Sequence, residues 1–345
     1  GTNEKSRLVD LVEELLSKKN FGREKQTPLI FVRKYQRGQE FDELKTEKNI
    51  KRARAYLKIQ EGCDQFCSYC IIPYARGPVR SRSLENTLAE AKRLIEAGFK
   101  EIVLLGIHLG AYGQEQGSGK NLVFLLKKLL PLSAQVRWRL GSLEPMEVSR
   151  ELLELMQEYP NFCPHLHLPL QSGHDQILKA MRRPYSTEQY LEVATEIRKR
   201  IPEIALTTDV MIGFPGETDE HFQAYLDFVE KVAFSRLHVF KYSPRQGTPA
   251  AKFSDQVPYA IKEARSRQMI RLGEKLEKEY AEKFLGRTVN VLVEEKVADC
   301  IGEGSSANYL KVRFYFPDAP RGQVIPVQLK RVEKNYCFGE VFSIQ

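Results

Sequence analysis

The sequence predicts an α/β chain, a partial (β/α)6 barrel followed by a small all-β barrel. Three observations carry that expectation. Between residues 55 and 240, short apolar runs alternate with helical patterns at a pace of roughly 30 residues, as βα units around a parallel sheet do. Three cysteines, Cys63, Cys67 and Cys70, follow the first of those runs. After Gly286 the pattern changes to β-branched runs set between Gly, Pro and Asn.

Taken in order, residues 1–16 read as one amphipathic helix, and 17–54 is polar with no core of its own. Parallel strands are expected over 56–60, 102–105, 136–140, 165–168, 206–212 and 237–240. Between the first two, Leu84, Leu88, Ala91, Leu94 and Ile95 recur at helical spacing, and Gly98 is placed to end that helix. Further helices are expected over 122–130, 149–158, 175–181 with 187–199, and 219–231. Six units are too few to close an eight-stranded barrel, so the sheet should stay open and curved. Active sites of such sheets lie at the carboxyl ends of the strands, where the cysteine loop falls.

A long charged helical pattern over 259–283 carries Ile261, Met269, Leu272, Leu276 and Tyr280 on one side, and should pack on the core before a boundary. Strands over 288–294, 309–314, 324–332 and 337–344 then suit a small β-barrel. The expected division is 1–50, 51–282 and 283–345.

No run approaches the roughly 20 apolar residues that a membrane helix needs, so no membrane partner is expected. The net charge of +8 favours a polyanion such as nucleic acid. Arg76, Arg80 and Arg82 put positive charge directly after the cysteine loop; a solvated basic loop is the alternative reading.

The spacing C-x3-C-x2-C offers three thiolates to a centre that prefers four ligands, so an iron-sulfur cubane held here would keep one iron open. A tetrahedral zinc site completed by Cys163, Cys300, Cys337 or a histidine is the alternative, weakened because no second C-x2-C pair exists. Disulfides fit less well, since there is no N-terminal apolar leader and the remaining cysteines are scattered. Reduced thiols in a cytoplasmic protein are expected.

The stretch YLKIQEGCDQFCSYCIIPYARGPVRSRS from Tyr56 closely resembles the radical S-adenosylmethionine (SAM) methylthiotransferases, which insert sulfur and a methyl group into tRNA or ribosomal protein. Further matches run in order: GIHLGAYG from Gly106, HLHLPLQSG from His165, MRRPYS from Met181, DVMIGFPGET from Asp209 and FKYSPRQGTPA from Phe240. GIHLGAYG and IIPYARG look most like the branch acting on N6-threonylcarbamoyladenosine beside the tRNA anticodon. The segment 283–345 resembles the family's TRAM domain, an RNA-binding β-barrel. The resemblance implies tRNA as substrate and an electron donor such as flavodoxin or ferredoxin. The branch that modifies an aspartate of a ribosomal protein is an alternative, and a noncatalytic zinc-containing RNA-binding protein is another.

Family members normally carry an N-terminal domain whose three further cysteines hold an auxiliary 4Fe-4S cluster. Here the opening GTNEKSRLVDLVEEL resembles that domain's last helix, and no cysteine precedes Cys63. A chain lacking that domain is expected to fall short of sulfur insertion on its own.

By resemblance, Cys63, Cys67 and Cys70 ligate a 4Fe-4S cluster whose open iron binds the amino and carboxylate groups of SAM. Tyr69 stands where such enzymes place an aromatic against the adenine; packing under the loop is its other reading. Many relatives carry Gly-Gly-Glu after the second strand where this chain has Gly106, Ile107 and His108, so His108 is either a cofactor contact or a hydrogen-bonded structural residue. Ser142 and Glu144, then Gln171 and Ser172, end two strands and suit ribose and amino-acid recognition. Arg183 is a candidate for the cofactor carboxylate, with an ordinary surface arginine as rival. Gly213 and Gly216, flanking Pro215, would let backbone approach the adenine or sugar, although a tight turn needs glycine too. Arg76, Arg80, Asp209 and Arg245 are candidates for the substrate side, and Asp209 and Arg245 would equally suit buried ion pairs.

Overall fold

The protein is described by a computed structural model covering residues 2–17, 30–33, 35, 38, 39, 41, 43, 52–117, 119–317 and 320–341. Most of the polar stretch 17–54 therefore lies outside the described residues. The chain opens with a 3-10 turn, Thr2–Arg7, that leads into α1 (Leu8–Ser17), where one continuous helix was expected.

The strand β1 (Ala55–Lys58) is followed by the two-residue strand β2 (Gln60–Glu61), the cysteine loop, α2 (Ile72–Arg76) and β3 (Arg80–Ser81). β2 and β3 pair antiparallel, which closes the base of the cysteine loop. α3 (Leu84–Glu96) starts where the Ser83 side chain accepts from the Asn86 amide, meeting one of the orphan amides of the first turn. It buries Ala91 and Leu94 and stops before Gly98, whose φ is +86°.

β4 (Glu101–Leu105), α4 (Leu122–Leu129), β5 (Arg137–Leu140) and α5 (Arg150–Glu158) follow. Then come β6 (His165–His167), α6 (Asp175–Ala180), α7 (Thr187–Arg200), β7 (Ala205–Ile212), α8 (Asp219–Val232) and β8 (Arg236–Lys241). The strands form two parallel three-stranded sheets, β1-β4-β5 and β6-β7-β8. Isolated parallel bridges, Trp138 to Phe162 and Ser142 to His167, join β5 to β6 across the gap. One hydrophobic core spans both sheets and fills the space beneath the helices, with Trp138, Tyr190 and Tyr225 fully buried in it.

α9 (Tyr259–Glu282) runs along β8 and carries Tyr280 and Ala281 into a second core. That core belongs to a closed barrel of β9 (Thr288–Ala298), β10 (Ile301–Ser306), β11 (Lys311–Tyr315), β12 (Val324–Val332) and β13 (Cys337–Val341). The order is β10-β11-β13-β12-β9, with β11 and β13 parallel and the other pairs antiparallel. Four strands were expected here; the fifth, β10, reads Ile-Gly-Glu-Gly-Ser-Ser and carries no β-branched signal after its first residue. Its glycine is sterically required, since a Cβ on Gly304 would sit 2.0 Å from the Leu292 carbonyl oxygen. The closing strand ends at Val341 within the described residues.

The small barrel seats at the amino ends of the parallel strands. Arg137 donates to the Asn290 and Ser305 carbonyls, and Arg139 to the Ala307 and Ser306 carbonyls, at 3.0–3.3 Å. Tyr309 stacks on His165 with ring centroids 4.3 Å apart. The carboxyl ends, on the far side, stay clear for the cysteine loop. Among the described residues, no helix is long and apolar enough to cross a membrane.

Candidate active site at the carboxyl edge of the sheet

The cysteine loop leaves β2 through Gly62, whose φ is +76°. A Cβ there would lie 1.9 Å from the Pro78 carbonyl oxygen, so the loop closes on itself only with glycine at this position. The Cys63 amide donates to the Gly77 carbonyl at 3.1 Å, and the Cys70 amide to the Cys67 carbonyl at 3.0 Å. Ser68 anchors the middle of the loop: its amide donates to the Met181 carbonyl, its hydroxyl to the Ala180 carbonyl, and its own carbonyl accepts from the Ala250 amide. Gly62→Ala is expected to destabilise the protein by more than about 1 kcal/mol, because neither the φ nor the space suits a side chain. Urea unfolding checks this; an unchanged midpoint would show that the loop is not held as described.

Hydrogen bonds chain the carboxyl-end loops together. Gln60 gives its side-chain amide to the Glu61 and Gly62 carbonyls and accepts the His108 amide, each at 2.8 Å. His108 in turn stands between Cys63 Sγ, 3.9 Å from Nδ1, and Glu147, 2.6 Å from Nε2. Burial alone would lower its pKa, but the hydrogen bonds and charges of Cys63 and Glu147 outweigh it and push it up to about 10. Glu144 follows β5 and is paired with Arg183, which follows α6. Arg183 also donates to Cys67 Sγ at 3.4 Å and to the Tyr185 hydroxyl at 3.1 Å. Burial holds the Glu144 carboxyl above the usual range even against the Arg183 charge.

All three loop cysteines are free thiols. Burial raises the pKa of Cys70, against a hydrogen bond from the Ile72 amide. Cys163, Cys300 and Cys337 do not approach the loop: Cys163 is buried at the junction of β5 and β6, Cys300 sits in the turn between β9 and β10, and Cys337 lies in the small-barrel core. Zinc completed by one of them has no support. Gln171, with φ +64°, has a buried side-chain oxygen with no hydrogen-bond partner among the described residues, an acceptor suited to a bound hydroxyl or ammonium.

A sequence model of the radical SAM superfamily matches residues 57–229, half of the chain. The threonylcarbamoyladenosine tRNA methylthiotransferase MtaB of Bacillus subtilis is 36% identical over 349 residues, covering 100% of this chain and 76% of its own length. The chain belongs to the radical SAM methylthiotransferase family. The tRNA-2-methylthio-N(6)-dimethylallyladenosine synthase of Acetivibrio thermocellus is 40% identical over 282 residues, 81% of this chain and 59% of that relative. Among solved structures, the radical SAM enzyme coproporphyrinogen III oxidase (HemN) of Escherichia coli aligns with a TM-score of 0.50 at 15% identity. It covers 86% of this chain and 73% of its own, a likeness of fold.

Against this family background, the expected site residues divide into three groups. Cys63, Cys67, Cys70, His108, Ser142, Glu144, Gln171, Ser172 and Arg183 all lie on loops at the carboxyl edge. Arg183 is buried, which excludes the surface-arginine reading, and its partner Glu144 was not foreseen as such. Tyr69 is half-buried and packs on Ile177, Met181, Met211, Phe214, Tyr242 and Ala250, so packing accounts for part of its contact.

The second group is tied up elsewhere. Arg80 is buried, donates to the Arg76 and Pro78 carbonyls and stacks its guanidinium 4.1 Å over the Tyr35 ring, so it braces the loop. Arg76 faces Glu61 at 3.6 Å and Arg82 is paired with Glu43 at 2.8 Å. Gly213 and Gly216, expected to admit a cofactor, have positive φ, and a Cβ would strike the Lys262 side chain at 2.3 Å or the Asp255 carboxylate at 2.6 Å. The tight-turn reading accounts for both. The third group holds Asp209, which sits inside the sheet among histidines, and Arg245, exposed on the loop after β8.

Proposed function

We propose that this chain is the catalytic part of a tRNA methylthiotransferase acting on N6-threonylcarbamoyladenosine, built on a partial (β/α)6 barrel with a TRAM-type RNA-binding barrel behind it. The observation that carries the reading is three free thiols on one loop at the carboxyl edge of a parallel sheet, with Arg183 and His108 set against two of them. The substrate branch is supported by the length of the match to the Bacillus relative, which covers 100% of this chain against 81% for the Acetivibrio relative. The chain spans 76% of that relative but 59% of the Acetivibrio one, so sulfur insertion by the intact protein is part of the proposal, as is an auxiliary cluster outside this sequence.

The residues fit the implied groups. Cys63, Cys67 and Cys70 would hold a 4Fe-4S cluster, leaving one iron for the amino and carboxylate groups of SAM. When bound, that pair supplies reductive cleavage of the sulfonium and a carbon-centred radical. The chain's own residues do the rest. Gln171 offers its free oxygen to the cofactor, Ser142 and Ser172 offer hydroxyls beside it, and Tyr69 lends part of its ring. Glu144 and Arg183 act as a buried pair: the guanidinium holds Cys67 Sγ in place while the carboxylate fixes the guanidinium. Buried charges of this kind are retained only when paired, which gives the loop one set of partners. His108 similarly steadies Cys63, so its role is to position rather than to touch the cofactor. Arg245, exposed beyond β8, would meet the polyanionic substrate, and a flavodoxin or ferredoxin in the cytoplasm would deliver the electron.

Anaerobic reconstitution tests the cluster: about four irons and four sulfides per chain are expected, and stoichiometric zinc without iron would defeat the reading. Nucleoside mass spectrometry of tRNA from cells lacking the gene tests the substrate. Loss of the methylthiolated threonylcarbamoyl nucleoside supports this branch; loss of the dimethylallyl one, or of a modified ribosomal peptide, assigns another.

A further inference from the structure

In the second parallel sheet, β6, β7 and β8 place His167, Asp209 and His238 side by side. Asp209 and His238 are direct Cα partners across β7 and β8, and His167 lies one strand over, opposite Thr207. Their neighbours in sequence, Leu166, Val210, Leu237 and Val239, point the other way into the main core, so the three polar side chains share the face of the sheet away from the helices. His167 Nε2 and His238 Nδ1 each stand 3.4 Å from the same oxygen, Asp209 Oδ1, and the three atoms all lie within 4.8 Å of one another.

Those distances fit a shared ion better than a hydrogen-bonded triad. Charge-assisted N–H···O bonds settle at about 2.7–2.9 Å, well short of the spacing here. Ligands of one tetrahedral ion with bonds of about 2.0–2.1 Å stand roughly 3.3 Å apart, which is the spacing observed. Thr207 supplies the outer contact such a site needs. Its hydroxyl lies 2.9 Å from His167 Nδ1 and 3.0 Å from His165 Nε2. With Nδ1–H of His167 donating to the Thr207 hydroxyl and that hydroxyl donating to His165 Nε2, His167 Nε2 presents its lone pair toward the site.

We propose that His167, Asp209 and His238 form a binding site for one divalent transition ion of the zinc class, with its fourth position open to a water or a substrate oxygen. Two imidazoles disfavour magnesium and calcium, which want oxygen ligands, and the absence of sulfur disfavours copper(I). Three protein ligands leave a coordination position free, as at catalytic rather than structural zinc sites. The site is independent of the cysteine loop and stands whether or not the substrate assignment above holds.

The test is equilibrium dialysis of the cluster-loaded full chain against zinc under anaerobic conditions, with zinc and iron counted together. One zinc per chain is expected in wild type and in the control His221→Gln, which alters the other close imidazole pair, His174 and His221 with rings 4.2 Å apart. His238 is half exposed, so His238→Gln should fold normally and weaken zinc binding roughly a hundredfold; Thr207→Val should weaken it about tenfold. Asp209→Asn should match His238→Gln, with iron content unchanged in all. Wild type that takes up no zinc, or His238→Gln and Asp209→Asn that bind as tightly as wild type, would overturn the site.

Discussion

Replacing Cys67 by alanine should abolish release of 5′-deoxyadenosine from SAM, leaving only the level seen without protein. The thiol is buried in the loop, and its sulfur accepts from the Arg183 guanidinium at 3.4 Å. Removing it takes away one of three anchors for the cluster and leaves Arg183 facing a void, still held by Glu144. With two thiolates a cubane has no stable seat, so iron per chain should fall together with cofactor cleavage. Cys63→Ala and Cys70→Ala should behave alike, whereas Cys163→Ala, remote from the loop, should retain both iron and cleavage. The measurement is 5′-deoxyadenosine formed with dithionite as reductant, beside an iron assay. Undiminished cleavage in Cys67→Ala would remove the ligand role assigned to the loop, and with it the catalytic reading.

The cysteine loop was legible because its chemistry is written in short covalent spacing: three thiols within eight residues need no tertiary information to be seen together. The βα alternation was legible for a similar reason, since a strand such as β4 is buried on both faces and reads as an apolar run, Ile-Val-Leu-Leu, after Glu101. What escaped is what depends on contacts between distant segments. Arg183 and Glu144 are 39 residues apart, and nothing local distinguishes a buried pair from two surface charges. Gly213 and Gly216 looked like openings for a cofactor, yet the space their missing side chains leave is filled by Lys262 and Asp255 from the segment leading into and along α9. β10 was missed because barrel closure, rather than β-propensity, makes a strand of a Gly- and Ser-rich run. The His167, Asp209 and His238 group was half visible: Asp209 stood out alone, and its register beside two histidines emerges only when three strands align. The charged residues within β4 and β5 were a signal left unread, for Arg137 and Arg139 alternate with Trp138 and Leu140 and so must share a face.

That face leads to the second large effect. Glu101 opens β4 with no exposure and receives three guanidinium groups: Arg137 at 2.7 Å, Arg139 at 3.0 Å and Arg54 at 3.5 Å. Burial would raise its pKa, but the charges of Arg139, Arg137 and Arg54 outweigh it and bring it down to about 2. The same arginines reach on to the carbonyls of the small barrel, and Arg54 pairs with Glu294 of β9, so one carboxylate ties together the contact between the parallel sheet and the small barrel. Glu101→Gln keeps the shape and removes the charge, leaving buried guanidinium groups without their counterion; a loss of about 3–5 kcal/mol is expected. The pH dependence has a definite sign. A carboxylate whose native pKa lies below its unfolded value stabilises the fold above that unfolded value, near 4.5 here, and loses the contribution as pH falls toward about 2. Wild type should therefore show a falling melting temperature across that window, and Glu101→Gln should start lower at neutral pH and fall less steeply. Because the small barrel depends on these arginines for its seat, limited proteolysis near the end of α9 should also become faster in the variant. Equal stability of the two proteins at pH 7 would mean that the arginines find other partners and that the barrel is held by Tyr309 and α9 alone.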